Sequence, residues 1–253
     1  MKRSLKISII TVSFNSEKTI KDTIESVLSQ TYNNIEYLII DANSSDSTIK
    51  IINSFGNKID YFVSESDNGI YDGMNKGIKQ ASGDVIGILN SDDIYENNYI
   101  IEEVVNSFLK NEKDILYGDL VYIDSKSNNL IRYWKSGFYN RKLLRMGWML
   151  PHPTLFVRRD IYMKYGYYSD KLKSAADYEM MIRLLYKHEC SAYYLSKIMV
   201  KMKTGGYSNK SIFNRIRGNK EDVMAWKLNG YSPSFLLRLY KPLTKVKQFL
   251  NRP

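Results

Sequence analysis

The chain is poor in the residues that build zinc sites and disulfide frameworks, with one cysteine and two histidines in 253 residues. A lone Cys190 excludes an internal disulfide, and His152 and His188 alone cannot make a Cys/His zinc pattern. Any metal is therefore expected to be a hard cation held by oxygen ligands. No apolar run approaches the roughly 18 to 20 residues a membrane span requires. The start, MKRSLKISIITVSFN, is a short basic lead into a strand without a cleavage-type signature. The expectation from these absences is a cytoplasmic protein. Also missing after the first strand is any GxGxxG or GxxxxGK[ST] loop, so dinucleotide and P-loop readings lack the glycines that cradle phosphate.

What charge there is lies unevenly. Residues 1–196 carry a net charge of −1, whereas residues 197–253 carry +11, which accounts for the whole excess of +10. Such a tail can meet an anionic membrane, nucleic acid, or only solvent. Two stretches within it mix apolar and basic residues, from about Ser211 and again after Pro233. They read as basic amphipathic helices that lie in a membrane interface or pack onto the domain before them.

Before the tail, strand-like and helix-like patterns alternate. Lys6–Phe14, Ile35–Asp41, Ile59–Val63 and Val85–Leu89 are β-branched or apolar runs. Between them, Ile20, Ile24, Val27 and Leu28, then Ile49 to Phe55 behind Asp46, then residues 70–81 recur at helical spacing. Parallel neighbours need such crossovers, so a doubly wound parallel sheet is expected. Further on, the pattern predicts helices over 99–109, 160–165 and 177–188 and strands over 114–123 and 154–158. Residues 132–150 are aromatic and basic, and suit either a lid over an acceptor groove or packing of a second subregion.

The chemistry concentrates where the fourth strand ends, in ASGDVIGILNSDD at 81–93. Asp92 and Asp93 fall at the carboxyl edge of the sheet, where ligands bind in open α/β folds. Adjacent carboxylates repel, so the pair invites a divalent cation carrying a phosphorylated ligand. The competing reading is that they cap the next helix. Asp177 falls in the first turn of its helix, where the dipole favours a carboxylate whatever its function.

Taken together, TVSFN at 11–15, IIDANSSDST at 39–48, SDNGIYDGMNKGI at 66–78, ASGDVIGILNSDD at 81–93, HPTLF at 152–156 and AADYEMMIRL at 175–184 resemble the inverting family 2 glycosyltransferases. The likeness is greatest to bacterial enzymes of surface-polysaccharide assembly. It implies a GT-A fold: Rossmann-like, α/β, with a mostly parallel central sheet flanked by helices. The glycosyltransferase domain would span 1–210, with a nucleotide-sugar half at 1–120 and an acceptor half at 121–210. Residues 211–253 would form a basic amphipathic helical extension.

The resemblance also implies roles. Thr11, Ser13 and Phe14 would line the nucleotide site, Asp41 would hydrogen-bond the base, and Asp67 would lie near the nucleoside. Asp92 would face the ribose, and Asp93 would bind Mn2+ or Mg2+ bridging the diphosphate. Asp177 would be the catalytic base. His152 and Trp148 are candidate contacts to the diphosphate or acceptor. The implied partners are a nucleotide sugar, with a UDP-sugar favoured, and a saccharide acceptor that would be carried on polyprenyl diphosphate, with no nucleic acid.

Two departures stand out. Ala176 precedes Asp177 where many relatives have Glu, and the segment KMKTGGYSN at 201–209 offers no histidine as a second metal ligand. A nucleotidyltransferase that makes nucleotide sugars is the main competing enzyme, but TVSFNSEKT lacks its glycine-rich phosphate loop. A basic nucleic-acid-binding protein is a further alternative, disfavoured by the apolar residues that accompany the basic ones.

Overall fold

The computed structural model describes residues 4–125, 127–203 and 212–235 together with 237, 240 and 248, and over 212–217 the backbone alone. The first half follows the sequence pattern closely. Strands β1 (Ile7–Ser13) and β2 (Ile35–Asp41) flank helix α1 (Ile20–Leu28), and α2 (Thr48–Asn53) leads to β3 (Tyr61–Ser64). Helix α3 (Ile70–Gln80) then returns the chain to β4 (Val85–Ile88). β3, β2, β1 and β4 lie side by side in parallel register, with Ile7 opposite both Ile35 and Val85. β1 is buried at every position, as a central strand covered on both faces must be. α3 sits so close over it that a Cβ on Gly77 would lie 2.4 Å from Ile10 Cγ2, so only glycine permits this approach.

The second half is mixed rather than parallel. It comprises β5 (Asp93–Tyr95), α4 (Ile100–Asn111), β6 (Ile115–Ile123), β7 (Leu130–Trp134), α5 (Arg141–Arg145), β8 (Phe156–Arg158), α6 (Arg159–Tyr165), α7 (Ala176–Met181), β9 (Ala192–Lys203) and α8 (Ile212–Leu228). Ile182–Lys187 continues α7 as a π-helical stretch. The sheet runs β3-β2-β1-β4-β8-β6-β9-β5, with β7 paired to β6. β8 is antiparallel to both β4 and β6, and β9 is parallel to β6 and antiparallel to β5. One apolar core packs α1 and α4 on one face of the sheet, and a second packs α3, α7 and α8 on the other.

Three sequence expectations need correction. Asp92 and Asp93 cap no helix: Asp93 opens β5, whose pairing with Met202 of β9 holds it in extended backbone. Residues 130–134 turn back on β6 as a hairpin strand, so the aromatic segment is partly sheet. β9 was not anticipated. Of the tail, the described part of α8 packs on the domain, with Ala225 and Trp226 wholly buried against Tyr178 and Tyr186. Among the described residues no helix is long and apolar enough to cross a membrane. The glycine-rich segment at 204–209 and most of the stretch after Phe235 lie outside the described residues.

Candidate functional site

Topology gathers the candidate residues at one edge. β1, β2, β3 and β4 are parallel, so Ser13, Asp41, Ser64 and the NSDD segment all emerge at their carboxyl ends. β8 runs antiparallel to β4, so the residues before it lie at that same edge, and His152 opens the short 3-10 turn His152–Thr154 that leads into β8. Gly87 makes the pairing possible, since a Cβ there would meet the Phe156 ring at 2.5 Å. The first turn of α7 brings Asp177, and the first turn of α3 brings Tyr71.

The centre of the cleft is an acid–imidazole–acid array. His152 Nδ1 lies 3.5 Å from Asp177 Oδ2, and the Tyr71 hydroxyl donates to Asp177 Oδ1 at 3.1 Å. His152 also feels the charge of Asp92. Burial lowers the imidazole's pKa below its ordinary value although both carboxylates pull it up, which favours the neutral ring. The Tyr71 hydroxyl is held far above its usual range by burial and by Asp177, and stays a donor. Asp177 keeps 12% of its side chain exposed, enough to face a ligand while being held from two elements.

Asp92 and Asp93 differ in surroundings. Asp92 is half-buried, and desolvation raises its pKa against the opposing pull of His152 and Lys203. Asp93 is wholly buried, and desolvation together with the Asp92 charge drives its pKa well up. Asn90 Nδ2 donates to Asp93 Oδ2 at 3.0 Å, but Asp93 Oδ1 and Asn90 Oδ1 have no hydrogen-bond partner. Two unpaired acceptor oxygens behind an open carboxylate fit a hard cation better than they fit a closed structural network. No three His, Cys, Asp or Glu side chains converge as a metal cage among the described residues, so such an ion would need oxygens from its ligand. Of the pair, Asp92 is partly exposed and Asp93 is wholly buried. Lys203, paired with Asp22 of α1, brings a positive charge toward Asp92, and the KMK run ending β9 was its only trace in the sequence.

The other predicted residues divide into lining and support. Phe14 is 62% exposed at the end of β1. Thr11 is wholly buried and shares a 3.1 Å hydrogen bond with the Tyr37 hydroxyl, so it sits under the site. Asp41 is also wholly buried: Oδ1 accepts from the hydroxyls of Ser13 (2.8 Å) and Ser44 (2.6 Å), and Oδ2 from Ser44 N (2.8 Å) and the Ser64 hydroxyl (2.7 Å). A carboxylate has about four acceptor positions. All are used internally, so Asp41 ties the ends of β1, β2 and β3 together instead of presenting a free oxygen. Asp67 accepts from Gly69 N at 2.9 Å in a turn whose Gly69 has φ 115°, a left-handed value that suits glycine. Trp148 is half-buried and tilted against Tyr139, its centroid 6.4 Å away. It does not join the acid–imidazole array.

Comparison with known proteins identifies the family and the fold. A family model described as Glycosyl transferase family 2 matches residues 8–166. An uncharacterised glycosyltransferase of Rickettsia typhi is 30% identical over 202 residues, which cover 77% of this chain and 63% of that protein. WfgD of Escherichia coli, named a UDP-Glc:alpha-D-GlcNAc-diphosphoundecaprenol beta-1,3-glucosyltransferase, is 38% identical over 122 residues, 48% of each chain. The chain thus spans less than two thirds of the length of these relatives. Among solved structures, Staphylococcus aureus TarS 1–349 in complex with UDP-GlcNAc superposes with a TM-score of 0.71 at 19% identity, covering 98% of this chain and 72% of that one. That likeness establishes the GT-A fold.

Proposed function

Because the chain belongs to glycosyl transferase family 2, we propose that it is an inverting, divalent-cation-assisted hexosyltransferase that moves a sugar from a UDP-sugar to a saccharide acceptor. The observation that carries this reading is that Asp177 meets His152 at 3.5 Å, within the electrostatic reach of Asp92, at the carboxyl edge of the parallel strands. UDP is favoured because WfgD is named for a UDP-Glc donor and TarS holds UDP-GlcNAc.

Inverting transfer is a single displacement, in which the acceptor hydroxyl attacks the anomeric carbon as the nucleoside diphosphate departs on the opposite face. Asp177 takes the hydroxyl proton, oriented by Tyr71 and by the neutral imidazole of His152. The Phe14 ring offers a flat apolar face to the nucleobase, with Thr11, Ser13 and Asp41 shaping the floor behind it and Asp67 beside the nucleoside. Asp92 and Asp93 would hold Mn2+ or Mg2+. That ion, when bound, supplies charge neutralisation for the departing diphosphate. Lys203 adds positive charge on the same side. Because Asp93 has no exposed surface, Asp92 is proposed to share the cation contact with it.

The acceptor is proposed to be carried on a polyprenyl diphosphate, within assembly of a surface polysaccharide such as O-antigen, capsule or exopolysaccharide. Support comes from the lipid-linked acceptor in the WfgD name and from the +11 charge of residues 197–253, suited to an anionic membrane on its cytoplasmic side. Purified protein with Mn2+ should be screened against UDP-, GDP- and dTDP-sugars for thermal shift and for nucleoside diphosphate release with lipid-linked acceptors. A UDP-sugar should stabilise the fold and yield a product of inverted anomeric configuration. Failure of every donor to bind or react would overturn the reading.

A further inference from the structure

The helix that carries Asp177 is not held at its start by its own residues. Ala175 stands at the cap position of α7 and makes no side-chain capping bond, and Ala176 follows it. The amides leading into α7 are taken up from elsewhere. Glu221, in α8, accepts with a single oxygen, Oε2, from Lys173 N (3.1 Å), Ser174 N (2.7 Å) and Ala175 N (3.1 Å). A carboxylate accepting several backbone N–H bonds is among the stronger ways to pin a loop.

Two other contacts from α8 and the residue after it grip the same helix just beyond Asp177. Trp226 Nε1 donates to the Tyr178 hydroxyl at 3.2 Å, and Asn229 Nδ2 donates to Glu179 Oε1 at 3.0 Å. Trp226 is wholly buried, so α8 cannot shift without opening the core. The backbone before Asp177 and the side chains just after it are therefore held by α8 and Asn229, while its carboxylate is held by Tyr71 and His152. The charge of Glu221 also reaches Tyr71, adding to the rise of its pKa.

We propose that Glu221 is a positioning residue for sugar transfer: from α8 it fixes residues 173–175, and through them the reach of Asp177 toward the acceptor hydroxyl. The inference rests on the assignment of Asp177 as the base. A general base acts only within hydrogen-bond reach of its proton, and displacement by about 1 Å can cost on the order of a hundredfold in rate. α8 thereby belongs to the catalytic apparatus as well as to the core.

The test uses the full chain and the variants Glu221→Ala, Glu221→Gln and Asp177→Asn. Three quantities are read: UDP affinity with Mn2+ by calorimetry, UDP release from UDP-Glc per UDP-binding site, and hydrogen exchange at residues 173–175. For Glu221→Ala the expected result is a kcat about ten- to a hundredfold lower, UDP affinity within about twofold of wild type, and loss of protection at 173–175. Glu221→Gln keeps a carbonyl oxygen and should recover part of the rate. If the alanine variant does not fold, the glutamine variant is read by the same criteria, with a smaller fall. A purely structural role would lower the melting temperature and leave kcat per binding site within twofold, which overturns the proposal. Should Asp177→Asn be inactive while both Glu221 variants turn over normally, this inference alone fails. Full turnover by Asp177→Asn would instead remove the base assignment beneath it.

Discussion

Replacing Asp41 by alanine should destabilise the fold by about 3 to 5 kcal/mol, although the carboxylate touches no other charged group in its hydrogen-bond set. Four donors converge on it, and Ser44 N is the one that cannot turn away. A buried N–H left without an acceptor costs about 1–3 kcal/mol. The hydroxyls of Ser13, Ser44 and Ser64 can rotate and pair partly with one another, so each loses less, and the void adds about 1 kcal/mol. Asparagine should cost only about 1–2 kcal/mol. Its carbonyl can replace Oδ2 opposite Ser44 N, while its amide donates to the Ser13 and Ser44 hydroxyls, which then reverse their roles. For a chain of this length 1 kcal/mol is about 2–4 °C in Tm, so alanine should lower Tm by roughly 6–20 °C and asparagine by a few degrees. Urea unfolding followed by tryptophan fluorescence gives the free energies, and UDP titration gives the affinity. An alanine variant losing under about 1 kcal/mol would refute the keystone role. So would an asparagine variant that keeps its stability but loses UDP binding, since that pattern belongs to a direct contact with the nucleobase.

Asp93→Asn should shrink the Tm shift induced by UDP with Mn2+ while changing the Tm of the free protein by less than the loss of a paired carboxylate would, because burial and Asp92 already disfavour the Asp93 charge and its Oδ1 is unpaired. A fall in Tm as large as that loss would show that the carboxylate is satisfied by something other than a cation. Mn2+ alone should move Tm little and Mn2+ with UDP should move it several degrees, since the described residues form no complete cage; equal shifts from the ion alone would contradict this. His152 has a pKa below its ordinary 6.5, so the stability conferred by its neutral form is present above about pH 6.5 and is lost as pH falls through its lowered folded value. His152→Gln should therefore flatten the acid side of the Tm profile below pH 6.5, and an unchanged profile would argue that the ring does not titrate as described.

The first half of the fold could be read from the chain because its central strands β1 and β4 are buried throughout and its crossovers are helical, so apolar runs and 3.6-residue spacing coincide with the observed elements. β2 begins and ends where the apolar run does, at Ile35 and Asp41. The second half could not, because its strands pair across long separations that periodicity does not encode. β9 alternates lysine with apolar residues, and it is a strand through its contacts with Ile115–Ile123 and with β5. The acidic pair could be placed at the sheet edge, but which of the two is wholly buried could not, since that depends on which side chain the start of β5 turns inward. The serines that bond Asp41 could not be foreseen, because they lie in separate segments, at 13, 44 and 64. The amphipathic pattern of α8 left membrane contact and packing open, and Trp226 decides for packing over the part described.

The central claim is that Asp177 removes the acceptor proton in a cleft whose other parts bind the donor. It is tested most directly by single-turnover transfer from saturating UDP-sugar in Asp177→Asn, alongside UDP affinity measured on the same preparation. Asparagine keeps an oxygen for the Tyr71 hydroxyl but cannot accept the proton. Donor affinity should stay within about twofold, while the transfer rate falls by about 10²–10⁴. A variant that binds UDP normally and transfers sugar at a near-normal rate would contradict the account.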